Sequence, residues 1–458
     1  MDRRSFLKQG AVVTMGFTGL WQFCQFPSPS RSTLPTTLGY GPLVKDPKGY
    51  LDLPKGFSYK IISKAGNPMS DSLLVPGLAD GMATFKGKKG RVVLIRNHEN
   101  SPNPAKNGAF AEDYRLLNKV DAAKFYDYGK GDKPGLGGTT TVIYNEKTQQ
   151  VELEYLSLAG TYRNCAGGPT PWNSWITCEE DVTPKGDYSE KDHGYNFEVP
   201  VSEKIKLFDP IPLKAMGRFN HEAVCVDPKT GIVYQTEDRH DGLIYRFIPN
   251  QKGKLAEGGK LQAMVLMDQR SFDSRNWEET TLKMGETLAV SWMDMEDVEA
   301  PEDDLRTRGF DQGAIRFARG EGIWFGEGEM YFACTNGGKK KFGQVFRYQP
   351  SPYEGSSREK EAPGKLSLFV ESDDKEILKH CDNLTIAPWG DIFLCEDDRD
   401  AYLRGVSSEG KIFTFGHNVG SQSEFAGATF SPSGETLFVN IQGPGHTLAI
   451  TGPWDQRK

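Results

Sequence analysis

The sequence EAVCVDPKTGIVYQTED at residues 222–238 contains the pattern that decides the fold. An acidic residue opens an apolar run, a turn containing Gly231 follows, and a second apolar run ends on a pair of acids. This pattern is typical of two antiparallel strands joined by a tight turn. Similar copies, three of them plain and two looser, lie at residues 321–336, 382–397 and 425–440, and at residues 80–99 and 164–180.

These six copies predict an all-β chain that folds as a six-bladed β-propeller. One strand–turn–strand unit cannot bury both of its faces, so repeated units stabilise one another by packing around a common axis. The uneven spacing of the copies predicts insertions within the blades. Because acids recur at equivalent strand ends, we expect them to meet at one rim of the axis. Such a rim is a place to hold a cluster of cations.

Residues 1–26 are predicted to form a targeting segment. Arg3 and Arg4 precede a short, moderately apolar stretch, which resembles the twin-arginine export signal. The stretch is short and rich in glycine and threonine for a membrane span, but no clear cleavage site is present, so a retained anchor stays open. We therefore expect a periplasmic or secreted protein, exported by machinery that carries folded chains. Residues 27–458 are predicted to form a single, monomeric propeller domain.

Composition excludes several classes of function. The chain has 55 basic and 62 acidic residues, a net charge of −7, and no basic stripe, which argues against nucleic acid as a partner. The sequence also contains no P-loop, no G-x-S-x-G and no H-E-x-x-H motif. Nucleotide binding and serine hydrolysis are therefore disfavoured, and the recurring acids need another explanation.

The segment WITCEED at residues 175–181 is a candidate metal site. Strand alternation would place Cys178 and Glu180 on one side and Glu179 on the other. A thiolate beside carboxylates is unfavourable without a cation; the thiolate would select a transition metal, and the oxygens suit calcium. Taken alone, the segment is better interpreted as a buried cysteine followed by two surface acids. Its position within the repeat favours the metal site.

Five other cysteines follow the leader, at positions 165, 225, 334, 381 and 395. Export to an oxidising compartment would permit disulfides among them. Most of them lie within apolar runs, where a free cysteine packs as a small hydrophobic residue. Core packing is the favoured interpretation, and disulfides stay open.

Two Asn-His-Glu triplets, at residues 97–99 and 220–222, fall at opposite ends of the repeat. Glu99 and Glu222 could both face the axis. His98 and His221 are either ligands, residues that orient ligands, or hydrogen-bonded structural histidines. The sequence leaves these alternatives open.

The segment IRFARGEGIWF at residues 315–325 supplies two arginines beside an axial acid. A planar guanidinium in that position can bind a tetrahedral oxyanion through two donors. Arg319 lies on the same side of the predicted strand as Glu321, so it is a better candidate than Arg316. A salt bridge between blades is the alternative. Asp382 and Glu396 provide one more opening acid and one more closing acid.

Several segments together resemble the PhoX-type alkaline phosphatases. These are RRSFLK at 3–8, IRNHE at 95–99, TPWNSWITCEE at 170–180, GRFNHEA at 217–223, R-x-x-R-x-E at 316–321 and SPSGETLFVNIQGPG at 431–445. The resemblance extends from about residue 80 to the C-terminus. It implies a six-bladed propeller, exported by the twin-arginine route, whose axis holds a mixed iron–calcium cluster that cleaves phosphomonoesters.

Carried over by position, Cys178 resembles the thiolate ligand of ferric iron in that family. Arg319 resembles the residue that binds the phosphate, with Arg316 as a further substrate-binding candidate. The carboxylates that resemble ligands of iron and calcium are Glu99, Glu179, Glu222, Glu321, Asp382 and Glu396. The chain has Asn-His-Glu-Ala at 220–223 and Ala-Arg-Gly-Glu at 318–321, where the family has Lys-His-Glu-Gly and Asp-Arg-Pro-Glu. These departures concern the substrate more than the metals.

The predicted function is thus an exported alkaline phosphatase for small-molecule phosphomonoesters, with ferric iron and calcium as cofactors. Two alternatives stay open. One is a related hydrolase that uses the same cluster on phosphodiesters or other esters. The other is a calcium-stabilised propeller that binds a partner without catalysis. Cys178 separates them, because a calcium-stabilised binding module has no use for a thiolate at the axis.

Overall fold

The structure is a computed structural model that describes residues 38–131 and 133–457. Thr37–Lys458 forms one compact unit, built mainly of strands, with one α-helix, α1 (Leu305–Asp311), among the described residues. No described helix combines the length and the apolar character needed to cross a membrane. The predicted targeting segment at residues 1–26 lies outside the described residues and stays a prediction.

The strands are short and follow one another with few interruptions. They are β1 Leu43–Val44, β2 Leu51–Pro54, β3 Ser58–Lys64, β4 Ala79–Lys86, β5 Arg91–His98, β6 Gly137–Asn145, β7 Gln150–Thr161, β8 Asn164–Pro169, β9 Ser174–Glu179, β10 Asn196–Pro200, β11 His221–Val226, β12 Val233–Glu237, β13 Ile244–Pro249, β14 Gly259–Leu266, β15 Thr287–Asp294, β16 Gly320–Gly326, β17 Glu329–Cys334, β18 Gln344–Gln349, β19 Gly364–Glu371, β20 Cys381–Ile386, β21 Ile392–Glu396, β22 Tyr402–Val406, β23 Ile412–Asn418, β24 Phe425–Phe430, β25 Thr436–Ile441 and β26 His446–Thr451. Short 3₁₀ turns lie at Lys88–Gly90, Ala105–Asn107, Leu117–Lys119, Ala122–Lys124, Gly129–Gly131, Lys214–Met216, Leu255–Glu257, Glu359–Glu361 and Trp454–Gln456.

Six inner strands line the axis: β4, β8, β11, β16, β20 and β24. Each packs against the next along the chain, and β24 packs against β4, so the six form a closed ring. The later strands of each group continue outward as an antiparallel sheet. The prediction of an all-β propeller is confirmed, and the inner strands begin the six copies of the sequence repeat.

Pairing between distant strands closes the ring. β3 joins the outer edge of the last sheet by pairing with β26, and β2 pairs with β23 in the sheet before it. β15 pairs with β19, which merges the third and fourth groups into one nine-stranded sheet. The N-terminal strands therefore hold the C-terminal blades in place.

Every inner strand carries a β-bulge at the same position. In β11, His221 pairs with Glu237 and Val224 pairs with Gln235, so residues 222–223 oppose a single partner residue. The same shift occurs between residues 79 and 82, 164 and 167, 320 and 323, 381 and 384, and 426 and 429. A bulge bends a strand and redirects a side chain. Here it occurs where the strand meets the axis.

The second residue of most bulges is small, because the inner strands approach one another closely. A Cβ atom at Gly81 would lie 2.5 Å from the Cα atom of Ala166 in the next strand. A Cβ atom at Gly322 would lie 2.5 Å from the backbone nitrogen of Leu384 and 2.7 Å from the Cα atom of Asn383. These close approaches bring the first bulge residues of neighbouring strands together.

We expect Gly322→Ala to lower the free energy of unfolding by about 1–3 kcal/mol, because the added methyl group meets backbone atoms that cannot rotate away. Gly186→Ala is the control, since its Cβ atom would meet nothing closer than 3.7 Å. Thermal unfolding of both variants checks the prediction. Equal stability of the two variants would show that the inner strands are not closely packed at this point.

Candidate metal centre

The first residue of each bulge points to the axis. From the first to the sixth inner strand these residues are Asp80, Cys165, Glu222, Glu321, Asp382 and Gly427. Except at Gly427, these residues carry side-chain atoms that can bind a metal, and these atoms lie close to those of the closing acids Glu99 and Glu180. Three groups have all ligand atoms within 4.8 Å of one another: Asp80, Glu99 and Cys165; Cys165, Glu180 and Glu222; and Glu222, Glu321 and Asp382. We call these seven residues the axial ring.

A second row of residues lies directly after the strand that pairs with each inner strand. In all six groups, the backbone N–H of this residue donates to the carbonyl oxygen of the residue that precedes the inner strand; in the sixth group Gln442 donates to Glu424 at 3.3 Å. The N···O distances are 2.9 Å for Glu99 and Leu78, 3.0 Å for Glu180 and Arg163, 3.2 Å for Asp238 and Asn220, 3.0 Å for Thr335 and Arg319, and 2.9 Å for Asp397 and His380. This repeated hydrogen bond fixes the backbone of each second-row residue, and thus the position of its side chain at the rim of the axis.

Glu222 is the clearest sign that the ring needs cations. Both of its carboxylate oxygens are buried and have no hydrogen-bond partner among the described residues. Burial, followed by the nearby Glu321 and Asp382, raises its pKa well above the usual value. A buried carboxylate without a partner is costly, and a bound cation reverses this pKa shift.

The same cause acts on the other acids of the centre. Burial is the largest cause of the raised pKa values of Asp80, Glu180, Glu321 and Asp382, with neighbouring acids adding to it. Burial and the adjacent Asp397 also raise the pKa of Glu424 to about 10. Carboxylate oxygens in this number suit calcium, and the thiol of Cys165 suits a transition metal. The side chains therefore fit a mixed metal centre.

The structure places Cys165, rather than the predicted Cys178, at this centre. Cys178 is buried in an apolar layer between the second and third sheets, with Ile176 and Val224. Burial alone raises the pKa of its thiol. Cys178 does share a side of its strand with Glu180, but it lies two residues deeper, where that side faces the layer between sheets. All six described cysteines are free. Cys178, Cys225, Cys334, Cys381 and Cys395 pack in apolar clusters, whereas Cys165 lies in the axial ring.

Glu179 and Glu396 also lie away from the axial ring. Each is the last residue of its strand ladder and points outward. Glu179 accepts hydrogen bonds from the backbone N–H groups of Tyr162 and Gly194, both at 2.9 Å. Glu396 accepts one from Nε of Arg404 at 2.8 Å. The residue after each of them, Glu180 or Asp397, occupies the central position instead.

The structure brings the remaining predicted ligands together: Glu99, Glu222, Glu321 and Asp382. His98 and His221 have structural contacts instead. His98 lies 2.8 Å from the hydroxyl of Thr140 through Nε2, and His221 lies 3.0 Å from the carbonyl oxygen of Gly217.

Of the two candidate arginines, only Arg319 reaches the ring. Its Nη2 donates to Glu321 at 2.8 Å, and its Nε and Nη2 bind both carboxylate oxygens of Asp238 at 2.8 and 2.9 Å. Arg316 instead pairs with Asp273 at 2.7 Å and stacks on Phe310.

The predicted ligand set did not include three residues of the axial ring, Asp80, Cys165 and Glu180, or the neighbouring Asp238 and Asp397. Their signal was present in the repeat. Cys165 occupies the position that the opening acid has in other copies. In each closing pair of acids, the second acid is the one that lies nearer the axis. Aligning the six copies residue by residue would have identified all of them.

A family model described as alkaline phosphatase PhoX matches residues 38–445. The chain belongs to the PhoX alkaline phosphatase family. The match contains every residue of the axial ring. No curated protein matches the chain.

One solved structure supports the propeller fold. The structure of Pseudomonas fluorescens PhoX in complex with vanadate, a transition state analogue, is similar with a TM-score of 0.66 and 17% sequence identity, covering 91% of this chain and 98% of that chain. A gluconolactonase from Xanthomonas campestris has a TM-score of 0.41 at 13% identity, covering 90% and 98% of the two chains. A protein of unknown function from Bacteroides thetaiotaomicron has a TM-score of 0.42 at 7% identity, covering 86% and 76%. The last two scores are too low to carry an argument.

The outward-facing Glu179 belongs to a buried charged group that yields a prediction on pH. His193 lies 2.7 Å from Glu179 through Nδ1 and 3.2 Å from Asp127 through Nε2. Burial lowers the pKa of His193, but the two carboxylates outweigh burial and raise it to about 9. The folded pKa is thus higher than the unfolded value of about 6.5. The charged imidazole therefore stabilises the fold fully below about pH 6.5, and this contribution is lost as the pH rises through about 9.

We expect the difference in unfolding free energy between the wild type and His193→Gln to shrink by on the order of 3 kcal/mol between pH 6 and pH 10. Denaturant unfolding at a series of pH values, with metal content held constant, measures this difference. A difference that stays constant across the range would mean that His193 is not charged in the folded protein.

Proposed function

We propose that this PhoX-family protein is a metal-dependent phosphatase that hydrolyses phosphomonoesters of small molecules. The observation that carries the proposal is Glu222, whose unpartnered, buried carboxylate joins two potential metal groups of the axial ring. Acids in this arrangement require cations. A phosphomonoester carries about two negative charges at neutral pH and requires cations as well. The same cations could therefore neutralise both the acids of the axial ring and the phosphate of the substrate.

We infer that the cofactors are ferric iron and calcium. Cys165 replaces Cys178 as the proposed thiolate ligand of iron. The carboxylates of the axial ring, with Asp238 and Asp397 beside them, supply the oxygen ligands that calcium prefers. Bound cations supply Lewis-acid charge to the phosphate oxygens. A calcium-stabilised binding module does not explain why a thiol lies among these acids, so hydrolysis is the better interpretation.

Arg319 is the proposed phosphate-binding and catalytic residue. Burial lowers its pKa, but Glu321 and Asp238 outweigh burial and raise it, so the guanidinium stays charged. The same acids hold the side chain at the rim, where it remains 28% exposed. A positioned guanidinium binds phosphate oxygens and stabilises the charge that develops in the transition state.

Thr335 assists by orienting Glu321. Its hydroxyl lies 2.9 Å from one carboxylate oxygen of Glu321, the acid that also contacts Arg319. This hydrogen bond fixes the direction in which Glu321 faces the ring. Thr335 is therefore proposed as a positioning residue.

Export is proposed on the basis of the leader sequence. The paired arginines at positions 3 and 4 precede a short apolar stretch. Machinery that carries folded proteins would deliver the chain with its metals already bound. We therefore propose a monomeric periplasmic or secreted enzyme that acts on small phosphate esters outside the cytoplasm.

Arg319→Ala should lower kcat/KM for a phosphomonoester by on the order of a hundredfold or more, because one charged transition-state contact is lost. Arg316→Ala is the matched comparison and should cause a smaller loss, since Arg316 pairs with Asp273 outside the ring. Steady-state kinetics with metal analysis of each variant checks this. A larger loss in the Arg316 variant, at normal metal content, would contradict the assignment.

Cys165→Ser should remove iron, its charge-transfer colour and most activity, because a hydroxyl is a much poorer anionic ligand than a thiol. Cys178→Ser should keep the colour, since Cys178 packs in an apolar layer. Visible absorption and elemental analysis of the two variants measure the outcome. Iron lost from the Cys178 variant but retained by the Cys165 variant would reverse the assignment.

A further inference from the structure

Arg163 and Arg319 occupy the same position in two copies of the repeat. Each precedes an inner strand, and each has a left-handed backbone, with φ values of 44° and 55°. The carbonyl oxygen of each accepts the repeated hydrogen bond of the second row. The fold therefore directs two equivalent guanidinium groups to the same rim.

Each of the two arginines also binds the second-row acid of the preceding group, Glu99 for Arg163 and Asp238 for Arg319. Nη2 of Arg163 lies 2.6 Å from Glu99 and 2.6 Å from Glu180, which belong to two neighbouring blades. Its Nε lies 3.1 Å from Glu99. In both arginines the hydrogen bonds to acids come from Nε and Nη2. Among the described residues, Nη1 of Arg163 makes no hydrogen bond, and Nη1 of Arg319 has only a longer ion pair with Asp397, at 3.9 Å.

Asn220, at the equivalent position between them, connects the two arginine–acid groups. Its Nδ2 donates to Glu180 at 2.9 Å and to the carbonyl oxygen of Asp238 at 3.1 Å. One hydrogen-bonded belt thus runs along the rim from Arg163 to Arg319. Because the belt holds both guanidinium groups in place, an anion that binds to them orders no flexible side chain.

Arg163 is more open to solvent than Arg319. Its side chain is 37% exposed, compared with 28% for Arg319. Burial lowers the pKa of Arg163, but Glu180 and Glu99 outweigh burial and raise the pKa overall, so the guanidinium stays charged. An arginine that only neutralised the two acids would not need a fixed, exposed donor at the mouth of the ring.

We propose that Arg163 is a second substrate-binding residue, which donates from Nη1 to an anionic oxygen of the bound phosphomonoester. The inference rests on the proposed phosphatase function. The oxygen belongs either to the reacting phosphate or to an anionic leaving group. Both are recognised by the same chemistry, a charged planar donor opposite an oxyanion.

The test uses Arg163→Lys in the metal-loaded enzyme, because lysine keeps the positive charge between Glu99 and Glu180 but loses the planar donor. Arg347→Lys is the matched control, since Arg347 is 32% exposed and pairs with Glu329 away from the ring. KM and kcat are measured for p-nitrophenyl phosphate, whose leaving group has no carboxylate, and for 2-phosphoglycolate, whose leaving group carries one. Calorimetry with inorganic phosphate measures binding without turnover.

We expect Arg163→Lys to raise KM by about tenfold, as for the loss of one hydrogen bond to a charged group, with the control unchanged. A rise for both substrates, with weaker binding of inorganic phosphate, places Nη1 on the reacting phosphate. A rise for 2-phosphoglycolate alone places it on the leaving group. Unchanged KM values and phosphate affinity, even with reduced metal content, would overturn the proposal and leave Arg163 as a neutralising residue.

KM does not depend on the fraction of enzyme that carries metal, so partial metal loss does not obscure the result. A wild-type protein without phosphomonoesterase activity would contradict the proposed function itself. Calorimetry with inorganic phosphate would then still decide whether Arg163 binds an oxyanion.

Discussion

Repulsion among buried carboxylates at the axis is the constraint on which the rest of the structure depends. Asp80, Glu180, Glu222 and Glu321 are buried close together beside the half-buried Asp382, and desolvation is the main cause of the raised pKa values of all five. Closed packing of six inner strands brings these acids to one place. Cations bound there would stabilise such a centre, because ligands that bind the folded state alone add to its stability.

Local features of the sequence make this convergence feasible. A β-bulge in every inner strand turns one side chain to the axis, and small residues such as Gly81 and Gly322 allow the strands to approach. The N–H group of each second-row residue is fixed by a backbone hydrogen bond. Arg163 and Arg319 then compensate part of the negative charge from the rim. The geometry proposed to hold metals would therefore also position charged donors for a phosphate ester.

The sequence predicted the propeller and much of the centre, because the repeat places acids at equivalent strand ends. The structure places Glu99, Glu222, Glu321 and Asp382 in the axial ring, where the repeat predicts acids, and places Arg319 beside Glu321. Glu179 and Cys178 lie away from the axial ring for different reasons. The closing acid that reaches the ring, Glu180, lies one residue beyond the strand ladder, whereas the thiol in the ring belongs to Cys165, at the bulge of the inner strand. Alternation describes the faces of a strand, but it does not tell which residue of a strand end lies over the axis. Which residue lies over the axis depends on the position of the β-bulge, and the pairing between strands determines that position.

Anomalous X-ray diffraction from crystals of the active protein, with data collected on both sides of the iron absorption edge, tests the central claim most directly. The account predicts an iron peak beside Sγ of Cys165 and further calcium density among Glu222, Glu321 and Asp382. An active protein whose iron peak lies beside Cys178, or whose axial ring holds no metal, would contradict it.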